Sequence, residues 1–189
     1  MGGRLTDAER NELFELVRTR SFRRGKFILA SGRESELYFN LKPTMMWPRG
    51  AHLAARACLD ILQDQGAEYV GGLEMGVVPL IGAMAALGDS EGRSVKTFFV
   101  RKKPKDHGTQ DLVEGLGPGE SLDGRRVVIA DDVATTAGSI IKALEAAKAT
   151  GAVITSALVL VDREEGGAEA LAEHGVKLLS VFKGSQFLT

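Results

Sequence analysis

Short apolar runs alternate with amphipathic stretches along most of this chain, and the change of period marks its elements. Thr6-Asp7-Ala8-Glu9 has the form of a capping box, in which a hydroxyl and a carboxylate three residues apart satisfy the first free N–H groups of a helix. Leu13, Leu16 and Val17 then fall on one helical face. From Phe22 the pattern turns strand-like. Residues 26–30 and 37–41 are short runs joined by Ser31-Gly32-Arg33-Glu34-Ser35, a turn composition. An alanine- and leucine-rich helix is expected after Pro48-Arg49-Gly50, reaching about Gln65. Beyond it the pattern predicts strands at 69–73, 95–100, 126–130, 153–161 and 176–182, and helices at 78–87, 139–150 and 167–174. Val127-Val128-Ile129-Ala130 and Ala157-Leu158-Val159-Leu160-Val161 are apolar without interruption, which suits parallel strands buried on both faces. Strand–helix–strand order of this kind predicts a doubly wound α/β sheet. The stretch 101–123 has no pattern, and a loop of that length in a compact domain is usually functional or disordered.

Composition narrows the function classes more than the fold. The 189 residues suit one domain, and 24 Lys+Arg against 25 Asp+Glu leave a net charge of −1, which argues against a basic nucleic-acid coat or an acidic tail. A single cysteine, Cys58, allows no internal disulfide, so nothing points to an oxidising compartment. The charge-free stretch 76–88 is too short and too glycine-broken to cross a bilayer, which needs about 20 residues. The residues after Met1-Gly2-Gly3 lack a signal-peptide pattern; they match a loose myristoylation pattern with no polybasic second anchor, and a cytoplasmic protein is expected. Glycine, at 23 residues, exceeds the usual share of about 7% and signals tight turns or close backbone approach to a ligand.

The densest chemistry lies in Val127-Val128-Ile129-Ala130-Asp131-Asp132-Val133-Ala134-Thr135-Thr136-Ala137-Gly138-Ser139. A buried strand runs into two adjacent carboxylates, and a loop of small and hydroxyl residues then opens a helix. Ligands of open α/β sheets sit at the carboxyl ends of strands, and a helix N-terminus offers free N–H groups to an anion. The acids either cap a turn or face a ligand. No Walker loop and no G-x-G-x-x-G occurs. The second cluster is Arg101-Lys102-Lys103-Pro104-Lys105-Asp106-His107-Gly108, with four cations and an imidazole in seven residues. By itself a charge run is usually a solvated loop; it also makes a strong local positive field. His52 and His174 lie in helical, alanine-rich surroundings without partners at metal-ligand spacing, and Cys58 reads as a small buried helix residue. Trp47, with Met45 and Met46, reads as packing or subunit surface.

The first cluster resembles the signature of type I phosphoribosyltransferases, and the R-K-x-x-K-x-H-G pattern from Arg101 resembles the catalytic loop of orotate phosphoribosyltransferases. The resemblance extends to the 25–40 segment, similar to the family's N-terminal hood, where Ala30 replaces a frequent lysine that Lys26 or Lys42 would have to replace. It extends also to Gly72-Leu73-Glu74-Met75-Gly76-Val77-Val78-Pro79, similar to a pyrophosphate-contact loop, and to Arg163, similar to an orotate-binding arginine. It implies one phosphoribosyltransferase domain over 1–189: a helix and hood over about 1–48, then a parallel sheet flanked by helices over about 49–189 with a flexible loop at about 101–123. It implies transfer of ribose 5-phosphate from phosphoribosyl pyrophosphate to orotate, giving orotidine 5′-phosphate and pyrophosphate in pyrimidine biosynthesis.

In that reading Asp131 and Asp132 bind the ribose hydroxyls. Val133, Ala134, Thr135, Thr136, Ala137, Gly138 and Ser139 hold the 5′-phosphate, with Ala137 where a glycine is common. Arg101, Lys102, Lys105 and His107 are the catalytic residues that close on the pyrophosphate, while Thr135 and Arg163 take the orotate. Mg²⁺ is expected to be held mainly by substrate near the acids, with no direct protein ligand. A homodimer with shared active sites is implied, with no nucleic acid or membrane partner. Two other readings stay open on the residues alone: a phosphoribosyltransferase for another base, and a non-catalytic sensor of phosphoribosyl pyrophosphate.

Overall fold

The computed structural model describes residues 3–28, 34–104 and 112–188. Helix α1 (Asp7–Arg20) starts where the capping box puts it, and both halves of the box form: Thr6 Oγ1 accepts from Glu9 N, and Glu9 Oε2 accepts from Thr6 N. Strands β1 (Phe22–Ile28) and β2 (Glu34–Phe39) pair antiparallel as a separate two-stranded sheet, the expected hood. A short helix α2 (Lys42–Met45), absent from the sequence reading, leads into α3 (Pro48–Gln63). There follow β3 (Tyr69–Leu73), α4 (Val78–Glu91), β4 (Lys96–Val100), β5 (Val113–Glu114), β6 (Arg126–Ala134), α5 (Gly138–Lys148), β7 (Val153–Asp162), α6 (Gly167–Glu173), β8 (Lys177–Lys183) and a final 3₁₀ turn, Gly184–Leu188.

The main sheet has the order β5-β4-β3-β6-β7-β8 and is parallel except for its edge strand β5. Its central strands bury alternate residues in two different cores. Val128, Ala130, Leu158 and Leu160 join α1, α3 and α4 on one face; Val127, Ile129, Ala157 and Val159 join α5 and α6 on the other. This is why those runs are continuously apolar. Cys58 is fully buried in the first core, as expected.

Two further features depart from the sequence reading. Strand β6 does not stop at Ala130 but runs through both acids to Ala134, because β7 keeps pairing with it: Asp131 lies opposite Val159, Val133 opposite Val161, and Ala134 opposite Asp162. The stretch 101–123 is not patternless throughout. Val113 and Glu114 pair with Val100 and Phe99, and Leu122 is buried in the second core. A two-residue strand is too short to show a period, so only its neighbour reveals it.

The hood is seated by aromatic rings. Phe22 and Phe39 meet at a tilt 5.0 Å apart, Phe39 meets Phe187 of the final turn edge-on at 5.2 Å, and Phe14 of α1 stacks on Phe187 at 4.4 Å. Such contacts add to the area that the rings bury. The hood base thus rests on the first helix and on the end of the chain.

Strand β3 approaches β6 too closely to admit a side chain at Gly72, where a Cβ would sit 2.0 Å from the Ala130 carbonyl oxygen. Backbone cannot yield as a flexible side chain does. Gly72→Ala is expected to destabilise the protein by more than about 2 kcal/mol, read as a lower urea midpoint; an unchanged midpoint would show that the strands can part at no cost.

Candidate active site

The direction of winding reverses between β3 and β6. From β3 the chain steps outward to β4 and β5, whereas β6, β7 and β8 step the other way. The crevice at such a reversal, beyond the carboxyl ends of the strands, is where open α/β sheets bind ligands. Pairing of β3 with β6 ends at Gly71 opposite Ile129, so Asp131 and Asp132 lie beyond the paired stretch, where the two strands part.

Asp131 is buried and Asp132 half-buried. Asp131 Oδ2 accepts from Ser139 Oγ at 2.6 Å, and its Oδ1 accepts from Asp132 N at 2.9 Å. Asp132 Oδ1 accepts from Val133 N at 3.0 Å. Both carboxylates lie against the turn after β3: a Cβ on Gly76 would meet Asp131 Oδ1 at 2.9 Å and Asp132 Oδ1 at 3.1 Å. Only glycine lets that turn close over the pair. Burial first, and the neighbouring Asp132 charge second, push Asp131 up to about 7, against the pull of its two donors. A carboxyl raised this far in a crevice marks a place where a cation or hydroxyl donors belong.

The loop after β6 is built to leave a helix end open. Ala137 is the N-cap of α5, and no side chain caps the free N–H groups that follow it. Ala137 adopts φ +59°, a left-handed conformation that glycine takes without cost. Val133, Ala134 and Ala137 turn their side chains into the cores, so these three expected binding residues offer only backbone. Thr135, Thr136, Gly138 and Ser139 are at least partly exposed.

A second turn packs against this loop. Arg163 N donates to Ala134 O at 2.9 Å, and a Cβ on Gly167 would lie 2.8 Å from Thr135 O. Asp162 Oδ1 accepts from Glu164 N, Asp162 Oδ2 accepts from Lys183 Nζ at 2.6 Å, and Glu164 takes φ +61°. The Arg163 side chain is 4% exposed, so it is no surface ion pair. Its Nη2 donates to Leu37 O of the hood at 2.9 Å and to Glu165 Oε1 at 2.6 Å. Arg163 therefore spans hood, phosphate-type loop and β7.

The cationic cluster is only partly brought in. Lys102 N donates to Glu74 Oε1 at 2.8 Å, which joins the end of β4 to the turn over the acids. The Arg101 side chain turns toward the edge strand instead, 3.7 Å from Glu114 and with Nε donating to Lys103 O. Lys105 and His107 lie outside the described residues, as does Ala30. Lys26 and Lys42 are exposed. Sequence reasoning passed over Glu165 and the packing role of Gly167; the only local signal was their nearness to Arg163 and to a strand end.

Residues 47–179 match the family model of the phosphoribosyl transferase domain. An orotate phosphoribosyltransferase of Rhodopseudomonas palustris is 55% identical over 181 residues, covering 96% of this chain and 97% of that protein. The chain belongs to the orotate phosphoribosyltransferase family. Among solved structures of that family, the Mycobacterium tuberculosis enzyme in complex with Fe(III) dicitrate superposes with a TM-score of 0.80 at 34% identity, covering 95% of this chain and 98% of that one. The same enzyme in complex with 5-phospho-α-D-ribosyl 1-diphosphate gives 0.77 at 30% identity, over 96% and 99%. Among the described residues no helix is long and apolar enough to cross a membrane.

The raised Asp131 carboxyl ties stability to pH. Near pH 4 it holds its proton in the folded chain, and the unfolded chain begins to lose its own. Between pH 4 and about 7 only the folded chain keeps the proton, so this contribution to stability falls as pH rises and levels off above about 7. In the ligand-free protein, Asp131→Asn is expected to gain stability over wild type by roughly 2 kcal/mol more at pH 8 than at pH 5, measured by urea unfolding. Equal differences at the two pH values would contradict the burial of this charge.

Proposed function

We infer that the chain transfers the 5-phosphoribosyl group of phosphoribosyl pyrophosphate to orotate, giving orotidine 5′-phosphate and pyrophosphate in pyrimidine biosynthesis. One observation supports the reading: an acid pair, an uncapped helix start and the turn carrying a buried arginine are joined by direct contacts, Ser139 on Asp131, Arg163 N on Ala134 O and Gly167 against Thr135 O. The three features match the three parts of these substrates, namely ribose hydroxyls, a phosphate and a carboxylate.

Asp131 and Asp132 accept hydrogen bonds from the ribose hydroxyls, which replace water at a pair of charges that burial disfavours. The 5′-phosphate sits on the loop 135–139, taking backbone N–H groups of α5 and the hydroxyls of Thr135, Thr136 and Ser139, while Val133, Ala134 and Ala137 contribute main chain alone. Arg163 holds the orotate carboxylate, with Thr135 beside it. Arg101, Lys102, Lys105 and His107 surround the departing pyrophosphate. For Arg101 this requires release from Glu114 as the loop closes. Charge builds at both ends of the breaking C1–O bond, so placed charges and water exclusion do the work and no nucleophilic side chain is needed.

Mg²⁺ fits the donor set. Two carboxylates stand together, and among the described residues no third His, Cys, Asp or Glu groups with them, which suits an ion that takes most of its oxygens from substrate and water. When bound, it neutralises charge on the pyrophosphate. Asp131 and Asp132 would help to hold it through its substrate and water oxygens. The working unit is proposed to be the whole chain as one domain, in a cytoplasmic homodimer whose subunits share active sites.

Orotate absorbance is expected to fall on adding phosphoribosyl pyrophosphate and Mg²⁺, and chelation should stop the fall. No fall with bound phosphoribosyl pyrophosphate still detectable would instead indicate a sensor. Lys105→Ala is expected to lower kcat by about 100-fold with a much smaller change in phosphoribosyl pyrophosphate binding; wild-type turnover would remove Lys105 from the machinery.

A further inference from the structure

Arg163 is buried, and a buried guanidinium needs a counter-charge at all times. In the ligand-free protein Glu165 supplies such a charge, two residues along the same turn, with Oε1 accepting from Arg163 Nη2 at 2.6 Å. That nitrogen also donates to the Leu37 carbonyl on hood strand β2. The Glu165 side chain is 25% exposed where that of Arg163 is 4%, so the acid sits on the open side of the pair with solvent beside it. The turn that carries both is held from elsewhere. Asp162 is fixed by Lys183, and Glu164 Oε2 accepts from Ser185 N, so Glu165 can turn away without moving Arg163.

We propose that Glu165 is a stand-in for the substrate carboxylate: it compensates Arg163 in the empty site and gives up that place when orotate arrives. The inference rests on the assignment of Arg163 to the orotate carboxylate. Exchange of one carboxylate for another keeps the buried charge balanced throughout, and the displaced Glu165 goes to water. A base without a carboxylate has nothing to offer Arg163 and leaves the Glu165 pair intact. Glu165 is thus a positioning and specificity residue acting through Arg163, and it competes with the substrate it helps to select.

The competition has a sign that a purely structural role does not share. Glu165→Gln keeps the shape and removes the charge. Its orotate KM is expected to fall by about three- to tenfold, the range one partly buried ion pair supplies, with the phosphoribosyl pyrophosphate KM unchanged. Its Tm without ligand should drop, because the Arg163–Glu165 ion pair is lost, and saturating orotate should restore it; uracil, which has no carboxylate, should not. Arg163→Gln is the reference variant and should raise the orotate KM. If Arg163→Gln raises it while Glu165→Gln leaves it unchanged or raises it too, the stand-in role is overturned and the assignment of Arg163 survives. If Arg163→Gln keeps the wild-type orotate KM, the assignment falls and the stand-in role falls with it.

Discussion

Two carboxylates side by side at the mouth of the β3–β6 crevice, one of them buried, set the terms for the rest of this structure. Burial disfavours the charge on Asp131, and Asp132 disfavours it further. The surrounding features answer that cost: the Ser139 hydroxyl and the Asp132 amide donate to Asp131, and Gly76 lets the turn after β3 close on both acids. The pair is held in a state that added hydrogen-bond donors relieve. In the proposed function the ribose hydroxyls supply those donors, and rigid elements keep the acids in place to receive them.

Arg163 poses the same problem with the opposite sign. It sits at the far end of β7, its backbone bonded to Ala134 and its guanidinium to the hood, and it too is buried with a charge to balance. The hood is positioned by rings rather than by ladder bonds to the main sheet: Phe22 and Phe39 rest on Phe187, and Phe187 on Phe14. A change at the end of the chain would therefore reach the hood carbonyl on Arg163 through this cluster. The acid pair and the arginine are coupled through a third part, since Gly167 of the arginine's turn presses on Thr135 of the phosphate-type loop.

Much of this was legible before any coordinates. The capping box of α1 works entirely within four residues, so local pattern is enough to call it. The apolar runs of β6 and β7 announced strands buried on both faces because two cores need alternate residues from each. The acid pair and the small-residue loop stood out because their chemistry is carried by neighbours in sequence, whereas Arg163 was reached through the family resemblance. What escaped was decided at a distance. Strand β6 outruns its apolar segment because β7 continues beside it, and β5 exists only through its pairing with β4.

The amino-acid sequence by itself determined the class of sheet, the order of its elements and the kinds of group that a ligand meets, because period and local motif act over a few residues. The tertiary structure alone decided which groups share a crevice, that Asp131 is buried and raised, that Ala137 stands in a left-handed turn, that Arg101 faces Glu114, and that Glu165 holds Arg163. Burial, close approach and charge balance depend on distances between segments far apart in the chain, and those distances exist only once the two cores have packed.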